Sequence, residues 1–236
     1  MKRRAFIVAM AAAALAPQAL AQKPMKIGVI GSGRIGSTLG GLWAKAGHEV
    51  MFSDRDPEQV KRAMEGLGAD LQPKARSGSV QEAAAFGDAI LIAVPYMALP
   101  AIQQQVGETL KGKVVIDPNN PVASRDGEMG AQAREKGAGV STAALLPGAR
   151  IARAFNSWGY GVMAREANRP APRMAIPVAA DDPVALKVGV QLVNDAGFDA
   201  VAAGSLAASR AFDLGSSVSG RVLTAPEMRQ ALQLKP

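Results

Sequence analysis

Lys26 to Asp54 reads KIGVIGSGRIGSTLGGLWAKAGHEVMFSD, and this stretch decides the fold. A short apolar run, Ile27 to Ile30, leads into Gly31, Gly33 and Gly36. A helix-length segment follows, and then a second apolar run that ends in an acid. The pattern predicts strand, turn, helix and strand, the dinucleotide-binding half of a Rossmann unit. Each glycine has a physical task there. Gly31 permits the tight turn, Gly33 lets the backbone approach a pyrophosphate, and Gly36 lets the helix pack closely on the strand. Asp54 lies 18 positions after Gly36, near where a ribose-binding group should fall. Ser37-Thr38, inside the turn, reads as the signal that opens the helix.

Upstream stands MKRRAFIVAMAAAALAPQALAQ, with a basic start, an unbroken apolar segment from Ala5 to Ala16 and the small-x-small triplet Ala19-Leu20-Ala21. This predicts a secretory signal peptide over 1–21. The apolar segment is short of the roughly 20 residues that cross a bilayer, which argues against a stable membrane anchor. Arg3-Arg4 before Phe6 and Ile7 resembles a twin-arginine export signal, or else is only the charged start of a general secretory signal; either predicts a periplasmic or secreted location. A protein that must take up its cofactor in the cytoplasm benefits from crossing the membrane folded. The alternative is translation from Met25, directly before the first strand, which would leave a cytoplasmic protein.

The chain has 27 basic and 20 acidic side chains, and without Lys2, Arg3 and Arg4 its balance falls from +7 to +4. The remaining bases are scattered and aromatic residues are few, so a nucleic-acid surface is not expected. With no cysteine and a single histidine, disulfides, thiolate catalysis, histidine triads and Cys- or His-rich metal sites are excluded. About 215 residues follow the leader, enough for one large domain or a domain with a smaller companion.

Downstream of Asp54, Val60, Met64 and Leu67 are spaced for a helix over 57–69 with Pro57 in its first turn. Ser79 and Glu82 form a capping box for a short helix ending near Gly87. AILIAV (89–94) is a strand buried on both faces. It breaks at Pro95-Tyr96 before a helix over 97–110. KVVID (113–117) is the next strand, breaking into Pro118-Asn119-Asn120-Pro121. In a doubly wound sheet ligands bind beyond the carboxyl ends of strands, so the breaks at Gly31, Asp54, Pro95 and Asn119 should line one crevice. Leu145 to Gly148 reads as a seam, which divides the chain into a Rossmann domain over 25–148 and a small C-terminal α/β domain over 149–236. The second part should hold strands at 150–155, 173–179 and 198–203, with helices at 157–167 and 183–196, the latter capped by Asp181 or Asp182.

Asp54 would bond a ribose hydroxyl and disfavour a 2′-phosphate, whereas Arg34, Arg55 and Arg62 would favour NADP; both signals are present. His48, in the turn after the first helix, lies at the end of the sheet opposite the crevice and reads as structural. This inventory suits hydride transfer between a nicotinamide and a second redox molecule, with little acid–base work by the protein. Asn156, after the strand at 150–155, is placed to face the crevice, or else caps a loop.

The same residues carry a resemblance. MKIGVIGSGRIGSTLGGLWAKAGHEV, the IAVPY segment, IDPNNP, ARAFNSWG and AGSLAASR, in that order, resemble the NADPH-dependent reductases of the 8-hydroxy-5-deazaflavin coenzyme (F-420) and their bacterial relatives. They resemble more distantly the reductase domain of six-transmembrane metalloreductases. The resemblance implies a flavin or deazaflavin acceptor held against the nicotinamide between two domains. It places Ser32, Gly33, Arg34 and Ile35, with Gly31 and Gly36, at the pyrophosphate and adenosine. It places Asp54 and Arg55 at the ribose end, Val94, Pro95 and Tyr96 at the nicotinamide side with Asn119 nearby, and Asn156 at the acceptor cleft. NADP is the implied cofactor, with NAD as the alternative. The partner is a small-molecule redox acceptor, and a homodimer is left open. Two departures stand out: Asp54 occupies a position where NADP-specific members commonly carry a small polar residue, and the tail beyond Arg210 does not clearly match. A non-catalytic exported dinucleotide-binding sensor or carrier is the competing expectation.

Overall fold

The computed structural model describes residues 23–234; the expected signal peptide at 1–21 lies outside them. The apolar runs become the strands of a parallel sheet, in order β1 (Lys26–Ile30), β2 (Glu49–Ser53), β3 (Ala75–Ser77), β4 (Ala89–Ile92), β5 (Val114–Asp117) and β6 (Arg150–Arg153). The spatial order is β3-β2-β1-β4-β5-β6, with every neighbouring pair parallel. This is the doubly wound order, and its switch point falls between β1 and β4. All four residues of β4 and of β5 are buried, as helices on both faces of a parallel sheet require.

Helices α1 (Arg34–Ala46), α2 (Pro57–Glu65), α3 (Val80–Phe86) and α4 (Leu99–Leu110) connect these strands. The Ser79 capping box is present, and Asp56 caps α2 by accepting from the Glu58 amide at 3.0 Å. Between β5 and β6 run α5 (Ala123–Lys136), which is broken at Gly127, and α6 (Ala138–Leu145). Neither these two helices nor β3 was expected. β3 is three residues long, and α5 has no regular apolar stripe because Gly127 interrupts it at φ 60°, ψ −145°.

The second part comprises α7 (Tyr160–Glu166), β7 (Ala175–Val178), α8 (Pro183–Asp195), β8 (Asp199–Ala202), a 3₁₀ segment over Ala207–Phe212 and α9 (Ala225–Ala231). Asp182 caps α8 through the Val184 and Ala185 amides, while Asp181 accepts from the Leu206 amide. The seam expected at Gly148 needs correcting, because β6 pairs with β5 as the last strand of the main sheet. The division instead follows β6, whose Arg153 exchanges backbone hydrogen bonds with Ala179 at 2.8 and 3.1 Å, bringing the β7–β8 ribbon onto the edge of the main sheet.

One apolar core unites the two parts. Trp43 of α1, Phe155 and Phe198 stack edge to face with centroids 6.0 and 6.2 Å apart, and the Trp43 indole donates to the Leu192 carbonyl. His48 is buried at the amino end of the sheet. It accepts from the Met25 amide through Nδ1 and meets Asp195 through Nε2 at 3.1 Å, the structural position its turn suggested. Among the described residues, no helix is long and apolar enough to cross a membrane.

Candidate functional site

The crevice at the carboxyl ends of β1, β2 and β4 begins with the glycine loop. Gly31 sits at φ +97°, and a Cβ there would run into the Ala93 carbonyl. One on Gly36 would strike the Gly31 carbonyl, whereas one on Gly33 would meet nothing within 4 Å. So Gly31 and Gly36 close the turn, and Gly33 faces open space where a ligand backbone can approach. Gly33 is also the N-cap of α1, and no side chain caps that end. The helix therefore presents its first amide groups and the positive end of its dipole to the crevice. Ser37, expected to open the helix, lies within it and donates back to the Gly33 carbonyl at 2.8 Å.

Ser32 and Asp54 lock this loop to β2. The Ser32 hydroxyl donates to the Ser53 carbonyl, and the Ser32 amide donates to Asp54 Oδ2 at 2.8 Å. Asp54 Oδ1 accepts from the Asp56 amide at 3.0 Å. The carboxylate is thus fixed at the end of β2 with one neutral donor on each oxygen, and both oxygens keep lone pairs for a ribose hydroxyl. Arg55 beside it is exposed. Arg34 lays its guanidinium 5.1 Å from the centroid of the Tyr160 ring, linking the start of α1 to the start of α7. Ile35 is half-buried against the core, and Arg62, also weighed for phosphate, pairs loosely with Asp56 at 3.7 Å.

Across the switch point, Val94 is half-buried, Pro95 is exposed, and Tyr96 turns the other way. The Tyr96 side chain is wholly buried, its hydroxyl 3.5 Å from Thr142 Oγ1. Burial pushes that phenol above its ordinary pKa. The Tyr96 side chain, expected on the nicotinamide side, is instead claimed by the apolar helix layer, while its neighbours Val94 and Pro95 keep exposed surface. Asn119 ties this wall together, accepting from the Val94 amide at 3.1 Å and donating to the Ile92 carbonyl at 2.8 Å.

Beyond Asn119 the site is built from side chains. Arg153 is completely buried; its Nη1 meets Asp117 Oδ2 at 2.8 Å and the Asn119 carbonyl at 2.9 Å, and its Nη2 meets Asp213 Oδ1 at 2.7 Å. Two carboxylates and a carbonyl around one guanidinium satisfy a charge that burial alone would make very costly. Asn156 follows Phe155, which is held at φ 63°. Its Nδ2 donates to the Phe212 carbonyl at 3.1 Å, its carbonyl accepts from Asn120 at 2.6 Å, and its Oδ1 is buried with no partner among the described residues.

The structure thus joins Asp54, the glycine loop, Val94, Asn119 and Asn156 through contiguous contacts. Arg153, Asp117, Asn120, Asp213 and Tyr160 were missed. Arg153 had left a signal, a charge inside the otherwise apolar run Ile151 to Phe155.

Known proteins share this chain's sequence pattern and fold. Residues 26–121 match the family described as NADP oxidoreductase, coenzyme F420-dependent. An F420-dependent NADP reductase of Methanothermobacter thermautotrophicus is 29% identical over 180 residues, covering 72% of this chain and 76% of the relative. That of Methanothermobacter marburgensis is 33% identical over 144 residues, covering 56% of this chain and 63% of the relative. A solved structure of a hypothetical protein from Sinorhizobium meliloti shares the fold, with a TM-score of 0.70 at 22% identity over 86% of this chain and 96% of that one. The chain is thus similar to two F420-dependent NADP reductases, and the stretch that matches the family model, residues 26–121, takes in the glycine loop and the switch-point crevice.

Proposed function

We propose that the protein is an oxidoreductase that transfers hydride between NADP(H) and a flavin- or deazaflavin-like acceptor. The observation that carries the reading is the uncapped start of α1 behind Gly33, open to the crevice of a doubly wound sheet. Kinship with reductases named for NADP and coenzyme F420 supplies the reaction class. The α1 amides, with Ser32 to Ile35, would hold the pyrophosphate. Asp54 and Arg55 would meet the ribose end, and Val94 and Pro95 the nicotinamide. The nicotinamide supplies the hydride chemistry when bound. The protein's share is orientation and exclusion of water; the Tyr96 hydroxyl is turned into the core and offers no proton to the crevice.

Stopped-flow oxidation of NADPH with flavin and deazaflavin acceptors tests this. Turnover with at least one acceptor is expected, and tight binding of NADPH without turnover for any of them would return the reading to a non-catalytic carrier. Recovery of NAD alone from protein purified out of its native host would overturn the NADP preference. We further infer export by a twin-arginine-type route from the leader, which fractionation of the native host tests. Material retaining residues 1–21 in the cytoplasm, or starting at Met25, would refute it.

A further inference from the structure

Among the described residues, every aromatic side chain except Tyr160 is buried or half-buried. Tyr160 is 41% exposed, yet its support is rigid. The chain reaches it from Asn156 through a buried loop that is pinned to the tail. Asn156 Nδ2 and Ser157 Oγ both donate to the Phe212 carbonyl, at 3.1 and 2.6 Å, and Trp158 Nε1 donates to the Arg221 carbonyl at 3.0 Å. The Ser157 carbonyl in turn accepts from the Gly220 amide at 2.9 Å. Beyond Tyr160, one turn into α7, Met163 is wholly buried. The immediate neighbours of the tyrosine are Gly159 and Gly161, and a Cβ on either would meet nothing within 4 Å. One side of the ring is taken, since the Arg34 guanidinium lies over it at 5.1 Å. Arg34 follows Gly33, whose open side faces the crevice, so the ring stands at the crevice mouth, presented by the second part of the chain.

A firmly mounted phenol with a cation on one side and bare glycine backbone around its other side is a stacking platform for a flat ring. We infer that the free side of Tyr160 receives the heterocyclic ring of the electron acceptor. The inference rests on the proposed function and deepens it, by naming the side chain on which the acceptor lies. Chemistry supports it, because the ring of an oxidised flavin or deazaflavin is flat and electron-poor whereas a phenol is electron-rich. Room supports it as well: with glycine before and after Tyr160, a tricyclic ring can overhang the tyrosine without meeting a neighbouring side chain. The rigid loop keeps the ordering cost of such a contact low, since the tyrosine has only its own two torsions to fix. Position separates this ring from the other one, because the wall proposed for the nicotinamide, Val94 and Pro95, belongs to the end of β4. Tyr160 also lies outside residues 26–121, where the family match is found.

The test measures ring binding apart from cofactor binding. Titration calorimetry with NADP⁺ present reads the Kd of riboflavin and of 5-deazariboflavin for the wild type, Tyr160→Leu and Tyr160→Phe, and a separate titration reads NADPH. Tyr160→Leu should weaken both ring acceptors about tenfold or more, the typical effect of losing one aromatic stack, while NADPH weakens only about threefold. Tyr160→Phe should keep the ring affinity. Bound riboflavin should lose most of its fluorescence in the wild type, because a phenol stacked on a flavin quenches it by donating an electron. In Tyr160→Phe, whose ring is a poor donor, the fluorescence should return, with the buried Trp158 the same in both proteins. The unfolding midpoint of each variant checks folding. Ring acceptors bound as tightly by Tyr160→Leu as by the wild type overturn the inference. So does a loss equal to that for NADPH, since the tyrosine would then serve only Arg34. Equal losses in the leucine and phenylalanine variants would assign a hydrogen bond of the hydroxyl in place of a stack and overturn it too, as would quenching that survives in Tyr160→Phe. A wild type that neither binds nor turns over any ring acceptor defeats the proposed function and this inference with it, whereas turnover indifferent to Tyr160 defeats the inference alone.

Discussion

The two walls of the crevice are built from different materials. On the side proposed for the nucleotide, the groups that would meet a ligand belong to the backbone: the open Gly33 and the uncapped amides of α1, positioned by a turn in which Gly31 and Gly36 admit no side chain. On the side proposed for the acceptor they would be side chains from distant stretches, held by Arg153 between Asp117 and Asp213. A backbone wall depends on what is missing from three positions. A side-chain wall depends on charges that must all be present at once. Damage to the first should show in binding with the fold intact, whereas damage to the second should show first in stability.

The largest effect is expected at Arg153. Arg153→Met leaves two carboxylates facing each other, Asp117 fully buried and Asp213 largely so, with no cation between them. Removing one member of such a buried arrangement typically costs about 3–5 kcal/mol. Urea unfolding should show a loss of that size, together with loosening of the tail that would be seen as faster amide exchange over 206–221. A loss below about 1 kcal/mol would mean that the acceptor wall stands without its central charge.

Gly33→Val should do the opposite. Gly33 has extended backbone at φ −64°, ψ −166°, and a side chain there meets nothing, so the unfolding midpoint should hardly move. The same side chain would occupy the space through which a pyrophosphate approaches. NADPH affinity should fall about 100-fold, roughly 2.7 kcal/mol. Retained affinity would move the dinucleotide away from the glycine loop.

The same contrast explains what could be read in advance. The nucleotide wall is local in sequence: three glycines, one strand and one acid within Lys26 to Asp54 encode it, because Gly31 turns the chain at φ +97°, Gly36 packs on the Gly31 carbonyl, and Gly33 between them leaves open space. The central strands β1, β4 and β5 were equally legible, being buried on both faces, whereas the short and largely exposed edge strand β3 was not. Arg153 and Asp213 are 60 positions apart, and Asn156 and Phe212 are 56 apart. No periodicity marks a buried arginine's partners. β6 fell on the wrong side of the expected seam for the same reason, since strand pairing across Gly148 is a tertiary choice that local composition does not carry. The Tyr96 ring was misplaced because the turn at Pro95 aims it into the helix layer.

A smaller effect is expected at Asp54, where the nucleotide wall does depend on a side chain. Its carboxylate accepts the Ser32 amide and would stand close to any 2′-phosphate. Asp54→Asn keeps an acceptor oxygen for that amide and removes the like charge. NADPH should bind about tenfold tighter, on the order of 1 kcal/mol, while NADH changes little. Calorimetric titration of both cofactors reads this directly, and equal effects on the two would show that the 2′-phosphate lies elsewhere.

The smallest effect tests where the two walls meet. Arg34 begins α1 on the nucleotide side, and its guanidinium rests 5.1 Å from the ring centroid of Tyr160, which begins α7 in the second part of the chain. Both side chains are exposed, so the contact itself should contribute only about 0.5–1 kcal/mol. That contact also decides where the Arg34 charge sits relative to the pyrophosphate. Tyr160→Ala frees the arginine to wander into solvent and should weaken NADPH binding about threefold, with stability unchanged. Tyr160→Phe keeps the ring face and should bind like the wild type. If both variants weakened binding equally, the Tyr160 hydroxyl rather than its ring would be the operative group, and the backbone character of the nucleotide wall would extend less far than the glycine loop suggests.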